Sequence, residues 1–318
     1  MIISASRRTD IPAFYSEWFF NRVREGFVVT RNPFNADQMA KWRLDPEAVD
    51  AIVFWTKDPA PMLGRLRELD ERGFSYYFQF TLTPYSRDVV EPGVRGKGAV
   101  ADTFRRLAEA VGPERVIWRY DPIFLSDAHT EAWHAERFGG LADALRGCTE
   151  RVVISFLDMD YRTVRRMGQK ELRGGTAQEQ DRLAGTLAGI ARAAGLAMAT
   201  CAEEVDLTRH GIERGCCVDA ALIERISGGA RAGCALRAAK DKNQRNACGC
   251  VESVDIGAYN TCAHGCAYCY ANFNPGAIAR NRARHDPASP VLLGECDAAA
   301  LEFRAGQRSL WEDQGRLF

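Results

Sequence analysis

The sequence is short of lysine, has no cysteine before Cys148, and contains no apolar run long enough to cross a bilayer. The last absence excludes a membrane span. The opening stretch Met1-Ile2-Ile3-Ser4-Ala5-Ser6-Arg7 also lacks the pattern of a secretory leader and reads as a strand that starts at once. Together these features point to the cytoplasm, where thiols stay reduced, so the 11 cysteines are not expected to pair as disulfides. Net charge is missing too. Lys+Arg and Asp+Glu both number 42, which leaves no bulk field for nucleic acid or an anionic membrane. No internal repeat or low-complexity tract interrupts the chain. No G-x-G-x-x-G turn follows the first strand to support a doubly wound open sheet, the alternative to a barrel. The cations are mostly arginine, a residue suited to gripping carboxylate or phosphate with two parallel hydrogen bonds.

What is present is an ordinary globular composition, 46% hydrophobic and 26% charged, over 318 residues. Short β-branched or aromatic runs alternate with helix-period stretches. The runs Ile2–Ser6, Phe27–Arg31, Ala51–Thr56, Tyr76–Leu82, Arg115–Tyr120, Arg151–Phe156, Leu196–Cys201 and Ser253–Tyr259 read as strands. Pro12–Glu25, Pro59–Arg72, Ala99–Val111, Thr130–Leu145 and Gln178–Ala194 read as helices between them. Eight such units predict an α/β fold of the (β/α)8 TIM-type barrel class. The expected organisation is one barrel domain over 1–284, with 205–252 as a cysteine-rich insertion, followed by a tail over 285–318.

The strand ends carry polar residues that a barrel would gather on one face. Turn punctuation accounts for Pro33, Pro59, Pro84 and Pro122. It does not account for Arg7, Arg8, Arg31, Lys57 and Arg119, because cations do not favour the start of a following helix. These five predict a cationic ring that orients an anionic substrate. Asp10, Asp121, Asp158 and Glu203 would pair with it or move protons. Arg7, Lys57, Arg119 and Asp121 are the candidate catalytic residues.

Cysteine is concentrated rather than scattered, with ten of the 11 lying between Cys201 and Cys296. Cys262, Cys266 and Cys269 have a C-x3-C-x2-C spacing on one loop. Three such thiolates suit three irons of a [4Fe–4S] cubane and leave the fourth iron open, as a catalytic metal keeps an open position. Upstream, Cys248-Gly249-Cys250 with Cys201 and Cys217 (or Cys216) offers four ligands for a closed site, a second [4Fe–4S] cluster or a structural zinc. Cys148 and Cys296 have no cysteine neighbour.

With an aromatic residue before its last cysteine, the loop resembles the cluster loop of radical S-adenosylmethionine (SAM) enzymes. The runs Asp255-Ile256-Gly257-Ala258-Tyr259-Asn260-Thr261-Cys262 and Ser4-Ala5-Ser6-Arg7-Arg8-Thr9-Asp10-Ile11-Pro12 are similar to a family known only as a domain of unknown function. A fainter similarity is to spore photoproduct lyase, through Thr56-Lys57, Leu82-Thr83, Glu91-Pro92 and Asp121-Pro122-Ile123. The resemblance implies SAM chelated at the open iron and an electron donor to cleave it. In ordinary radical SAM enzymes the cysteine loop follows the first strand. Here it follows the last, which implies a circularly permuted barrel. The Gly-Gly-Glu segment that often meets the SAM amino group has no counterpart, so Ser4, Ser6, Tyr268 and Tyr270 are the candidates for holding SAM.

The expected activity is reductive cleavage of SAM on an unidentified substrate. The alternatives are an iron–sulfur redox or sensor protein, and a nucleic-acid-associated module. The last draws on Arg280, Arg282 and Arg284 and on Gln307-Arg308-Ser309-Leu310-Trp311, which resembles a sliding-clamp-binding motif.

Overall fold

The computed structural model describes residues 1–159, 172–228, 231 and 233–313, so parts of the expected insertion and tail lie outside the described residues. Its strands are β1 (Ile2–Ala5), β2 (Phe27–Asn32), β3 (Asn35–Arg43), β4 (Ala51–Thr56), β5 (Tyr76–Thr81), β6 (Val116–Ile123), β7 (Arg151–Phe156), β8 (Ala197–Cys201), β9 (Glu213–Gly215), β10 (Cys234–Leu236), β11 (Val254–Asp255) and β12 (Trp311–Asp313). Eight of them form one sheet in the order β11-β1-β4-β5-β6-β7-β8-β9. Every pairing in it is parallel. The fold is therefore mixed α/β around an eight-stranded parallel sheet.

Seven of the eight expected strands belong to this sheet; Phe27–Arg31 does not. β2 pairs antiparallel with β3, forming a separate hairpin. The sequence hides β3 because Asn35-Ala36-Asp37-Gln38 is polar and exposed. The hairpin turn is set locally, by the Asn32 side chain accepting from the Phe34 amide at 2.9 Å. The eighth place goes to β9, three residues inside the connection expected to be an insertion. Too short for any apolar pattern, β9 is defined only by pairing with β8. Between the two edge strands, the Val251 amide donates to the Val218 carbonyl at 3.2 Å.

Side chains alternate across the sheet with the period of two that a pleated strand requires. Ile3, Ile52, Phe54, Tyr76, Phe78, Phe80, Trp118, Tyr120 and Ile154 join the helices in one large apolar core. Each such side chain contributes roughly 1.5–3 kcal/mol when fully buried. The helix Lys97–Val111 supplies Val100, Phe104, Leu107 and Val111 to this core, a spacing that keeps them on one face. The opposite parity gives Ile2, Val53, Tyr77, Ile117, Val153 and Ala199, which pack with Cys217, Cys248 and Cys250 in a second core. Ser4, Gln79, Arg119 and Ser155 share that parity. One face of the sheet thus anchors the fold, and the other carries the polar chemistry.

The C-terminal segment straps the outside. Arg22, Trp18 and Asn21 donate to the carbonyls of Ala288, Ser289 and Pro287 at 2.9, 2.8 and 3.0 Å. Gln307, the first residue of the expected clamp-binding motif, exchanges two 2.8 Å hydrogen bonds with the Arg43 backbone. Ser309 donates to Asp50 at 2.6 Å, and Trp311 lies in β12 opposite Leu236. Gln307, Ser309 and Trp311 of that motif are thus held within the chain. Among the described residues no helix is long and apolar enough to cross a membrane.

Candidate functional site

The C-terminal ends of the parallel strands open on a cavity of ≈ 420 Å³. Active sites of parallel α/β folds occupy this end because the loops after the strands converge there. Cys262, Cys266 and Cys269 line the cavity, and so do Cys201, Cys217, Cys248 and Cys250. The convergence follows from topology. Cys201 ends β8, Cys217 follows β9, Cys248 and Cys250 precede β11, and the cysteine loop leaves β11.

The cysteine loop is closed at its base by Asn260, which sits at φ 56, a left-handed conformation that asparagine tolerates. The Asn260 side chain accepts from the amides of Phe273 and Asn274 at 2.9 and 3.0 Å. Asn272 donates to the Cys262 carbonyl and Tyr15 to that of Thr261, both at 2.7 Å. On the other side, the segment Val90–Gly93 lies against the loop. The Ala267 amide donates to Val90 at 2.9 Å, and the Gly93 amide donates to His264 at 2.8 Å.

Two acids fix this seat. Asp10 accepts from His264 Nε2 at 2.8 Å and from the Lys57 amide at 2.7 Å, and it caps the helix Ile11–Phe14 through Ala13 at 2.9 Å. His264 Nδ1 is buried without a partner. Glu91 is fully buried and accepts from Lys57 at 2.8 Å, Thr83 at 2.7 Å, Lys97 and Tyr268. Burial opposes its ionisation, but Lys57 and Lys97 outweigh that and hold its pKa down at about 2. Thr56-Lys57, Leu82-Thr83 and Glu91-Pro92, separate stations along the chain, thus meet beside the loop. Burial pushes all three loop thiols upward, Cys266 to about 12.

The second group is a chain of sulfur contacts. Cys201 and Cys217 have their Sγ atoms 3.4 Å apart. Hydrogen bonds from the Cys217 and Cys248 thiols hold Cys250 well below the usual thiol range. The amides of Cys217 and Val218 also donate to Cys250 Sγ, at 3.2 and 3.4 Å. Cys201 is lowered to about 6, first by the Cys217 thiol and further by Arg119. Arg119 Nη1 reaches Cys217 Sγ at 2.8 Å and Gln79 at 3.3 Å, while its other nitrogens pair with Asp121. Of Cys216 and Cys217, it is Cys217 that lines the cavity and touches Cys201, while burial pushes Cys216 up to about 12.

Among the described residues no set of three or more His, Cys, Asp or Glu side chains is already drawn into metal-binding geometry. The donor chemistry nevertheless fits iron–sulfur ligation. Seven free thiols on one cavity fall into a three and a four. The four are flanked by N–H donors and by Arg7 and Arg119, the groups that tune cluster sulfurs.

Of the five cations expected at the strand ends, Arg7, Arg8, Lys57 and Arg119 line the cavity and Arg31 does not. Arg31 lies on the β2–β3 hairpin and donates to the carbonyls of Ala36 and Glu295, because β2 is outside the sheet. Lys57 is bound by Glu91 and Arg119 by Asp121. Arg7 points to the second cysteine group, 3.8 Å from Asp241 and over the Trp55 ring. Ser4 does not line the cavity: its hydroxyl donates to Asp255 at 2.8 Å. Ser6 does line it, but its hydroxyl also donates to Asp255, at 2.7 Å. Tyr268 and Tyr270 both line it, with their hydroxyls on Glu91 and the Arg7 carbonyl. Sequence reasoning gave no role to Glu91, Thr83, Asp255 or His264. The Leu82-Thr83 and Glu91-Pro92 stations, and the family run that starts at Asp255, were the available signals.

The family model described as Domain of unknown function (DUF1848) matches residues 2–271, from the first strand through the cysteine loop. The chain belongs to that family. No curated protein matches the sequence. One solved structure similar to this DUF1848 chain is a protein from Bacteroides thetaiotaomicron VPI-5482 named as a candidate alpha-L-fucosidase. It has 12% sequence identity and a TM-score of 0.27, over 58% of this chain and 74% of that one.

Proposed function

We propose that this DUF1848 chain is a radical SAM enzyme with a permuted (β/α)8-type barrel. The observation that carries the reading is the placement of Cys262, Cys266 and Cys269 on one loop facing the same ≈ 420 Å³ cavity as a second group of four cysteines. The parallel pairing of β11 with β1 supports the permutation, because the strand beside the cysteine loop is then the N-terminal one. Free thiols throughout support a reducing, cytoplasmic setting.

In this reading Cys262, Cys266 and Cys269 hold three irons of a [4Fe–4S] cluster. Cys201, Cys217, Cys248 and Cys250 hold a second cluster. When bound, the first cluster supplies one-electron reductive cleavage of SAM, with electrons from an external donor. The chain's own groups do the positioning. Asp10 and Glu91 fix the loop, Arg7 and Arg119 balance the charge of the second thiolate set, and Tyr268 and Tyr270 border the space left for SAM.

Anaerobic reconstitution with iron and sulfide tests this. We expect about eight irons and eight sulfides per chain. Cys266→Ala and Cys250→Ala should each retain about half. Zinc at both sites, or no iron retained, contradicts the reading. Iron at both sites with a reduced-cluster spectrum that SAM does not perturb moves it to a redox or sensor protein.

A further inference from the structure

We propose that Arg8 is the anion-receiving group of the cavity, and that it takes a carboxylate or phosphate of the bound ligand. This rests on the cavity being a ligand site, as proposed above. Five cationic side chains line it: Arg7, Arg8, Lys57, Arg119 and Arg245. Four have acidic partners. Arg7 faces Asp241 at 3.8 Å, Lys57 holds Glu91 at 2.8 Å, Arg119 holds Asp121, and Arg245 holds Asp158 at 3.0 Å. The carboxylates lining the cavity are committed too. Asp121 and Asp158 are in those pairs, and Asp10 is filled by His264, the Lys57 amide and Ala13. Among the described residues the Arg8 guanidinium alone of these five has no ion pair or hydrogen bond. Its five N–H donors therefore face a ligand space already balanced everywhere else.

Arg8 is also held in place. Its amide donates to Ser6 Oγ at 2.9 Å, and its guanidinium lies 5.4 Å from the Tyr259 ring centroid. Tyr259 in turn packs on Phe273, with centroids 6.2 Å apart. Consecutive arginines thus divide the cavity, Arg7 toward the second cysteine group and Arg8 toward the base of the cysteine loop. Half-buried on an aromatic face, Arg8 keeps a planar fork suited to bidentate recognition of an oxyanion.

The anion has two sources, SAM or the second substrate, and one experiment separates them. Metal-free wild-type protein, Arg8→Gln and Arg8→Lys are titrated at low salt with inorganic phosphate and with succinate. Reconstituted forms are titrated with SAM by equilibrium dialysis. Arg31→Gln, outside the cavity, is the control. Arg8→Gln is expected to weaken at least one of these ligands by about ten- to a hundredfold, the loss of a charge-assisted pair. Arg8→Lys should restore part of it, and Arg31→Gln should match wild type. A loss confined to SAM assigns the site to its carboxylate. A loss of phosphate or succinate with SAM unchanged assigns it to the substrate. Equal binding of all three ligands by wild type and Arg8→Gln overturns the proposal. If no cluster forms, equal binding of phosphate and succinate in the metal-free titrations overturns it alone. A circular-dichroism melt matched to wild type confirms that the variant is folded.

Discussion

Glu91→Ala is expected to destabilise the chain by about 3–5 kcal/mol and to prevent the cysteine loop from loading iron. Glu91 is fully buried and gathers Lys57, Lys97, Thr83 and Tyr268 onto one carboxylate. Removing it leaves two ammonium groups at close quarters without a counter-charge, which costs more than the pair contributes when intact. It also frees Tyr268, the residue just before Cys269 on the loop. Urea unfolding and iron content together read both effects. The same group sets an acid limit. Its folded pKa of about 2 lies below the ordinary 4.5. Its contribution is therefore complete above that ordinary value and is lost as pH falls from there toward the folded value. The loss amounts to about 3 kcal/mol. Glu91→Gln should flatten that part of the stability profile. A steep acid limb that persists in Glu91→Gln counts against the assignment.

Gly93→Val is expected to leave a folded protein that loads only about half the iron of wild type. A Cβ at this position would collide with the Ala263 carbonyl oxygen and would stand 2.8 Å from His264 Cα. These are backbone atoms of the cysteine loop, so no side chain can swing aside. The loop must move, and the Gly93–His264 hydrogen bond that seats it is lost. Overpacking of this kind costs about 1–3 kcal/mol, enough to unseat a loop without unfolding the sheet. Gly140→Ala is the comparison. That glycine lies inside the helix Glu131–Ala144 with nothing within 4 Å of an added Cβ, so iron content should not change. Full iron content in Gly93→Val would show that the Val90–Gly93 segment does not seat the loop.

Much of the fold was legible because the sheet's interior strands are long and apolar. Ala51–Thr56, Tyr76–Thr81 and Arg151–Phe156 announce themselves. β9 does not, because at three residues its identity comes from neighbours in space, and β11 keeps only Val254–Asp255 of the expected run Ser253–Tyr259. β2 misled because Val28 and Val29 are buried as a sheet strand's would be, yet its partner is the polar β3. Arg31 was misplaced with it. The seven cysteines meet in one cavity, since the segments that carry them lead into or out of β8, β9 and β11. Charge was harder to read. Lys57 and Arg119 sit where expected and Asp121 pairs with Arg119, but sequence alone does not show that Glu91 answers Lys57. Glu91 is distant in sequence from the cysteine loop it supports, and only the fold brings them together.

In the proposed function the cysteine loop positions a cluster for SAM cleavage. That role is tested most directly by incubating reconstituted protein with SAM and a strong reductant and measuring deoxyadenosine. Deoxyadenosine is expected from wild type, and none above background from Cys266→Ala. Wild-type protein that carries the full complement of iron and releases no deoxyadenosine would contradict that role.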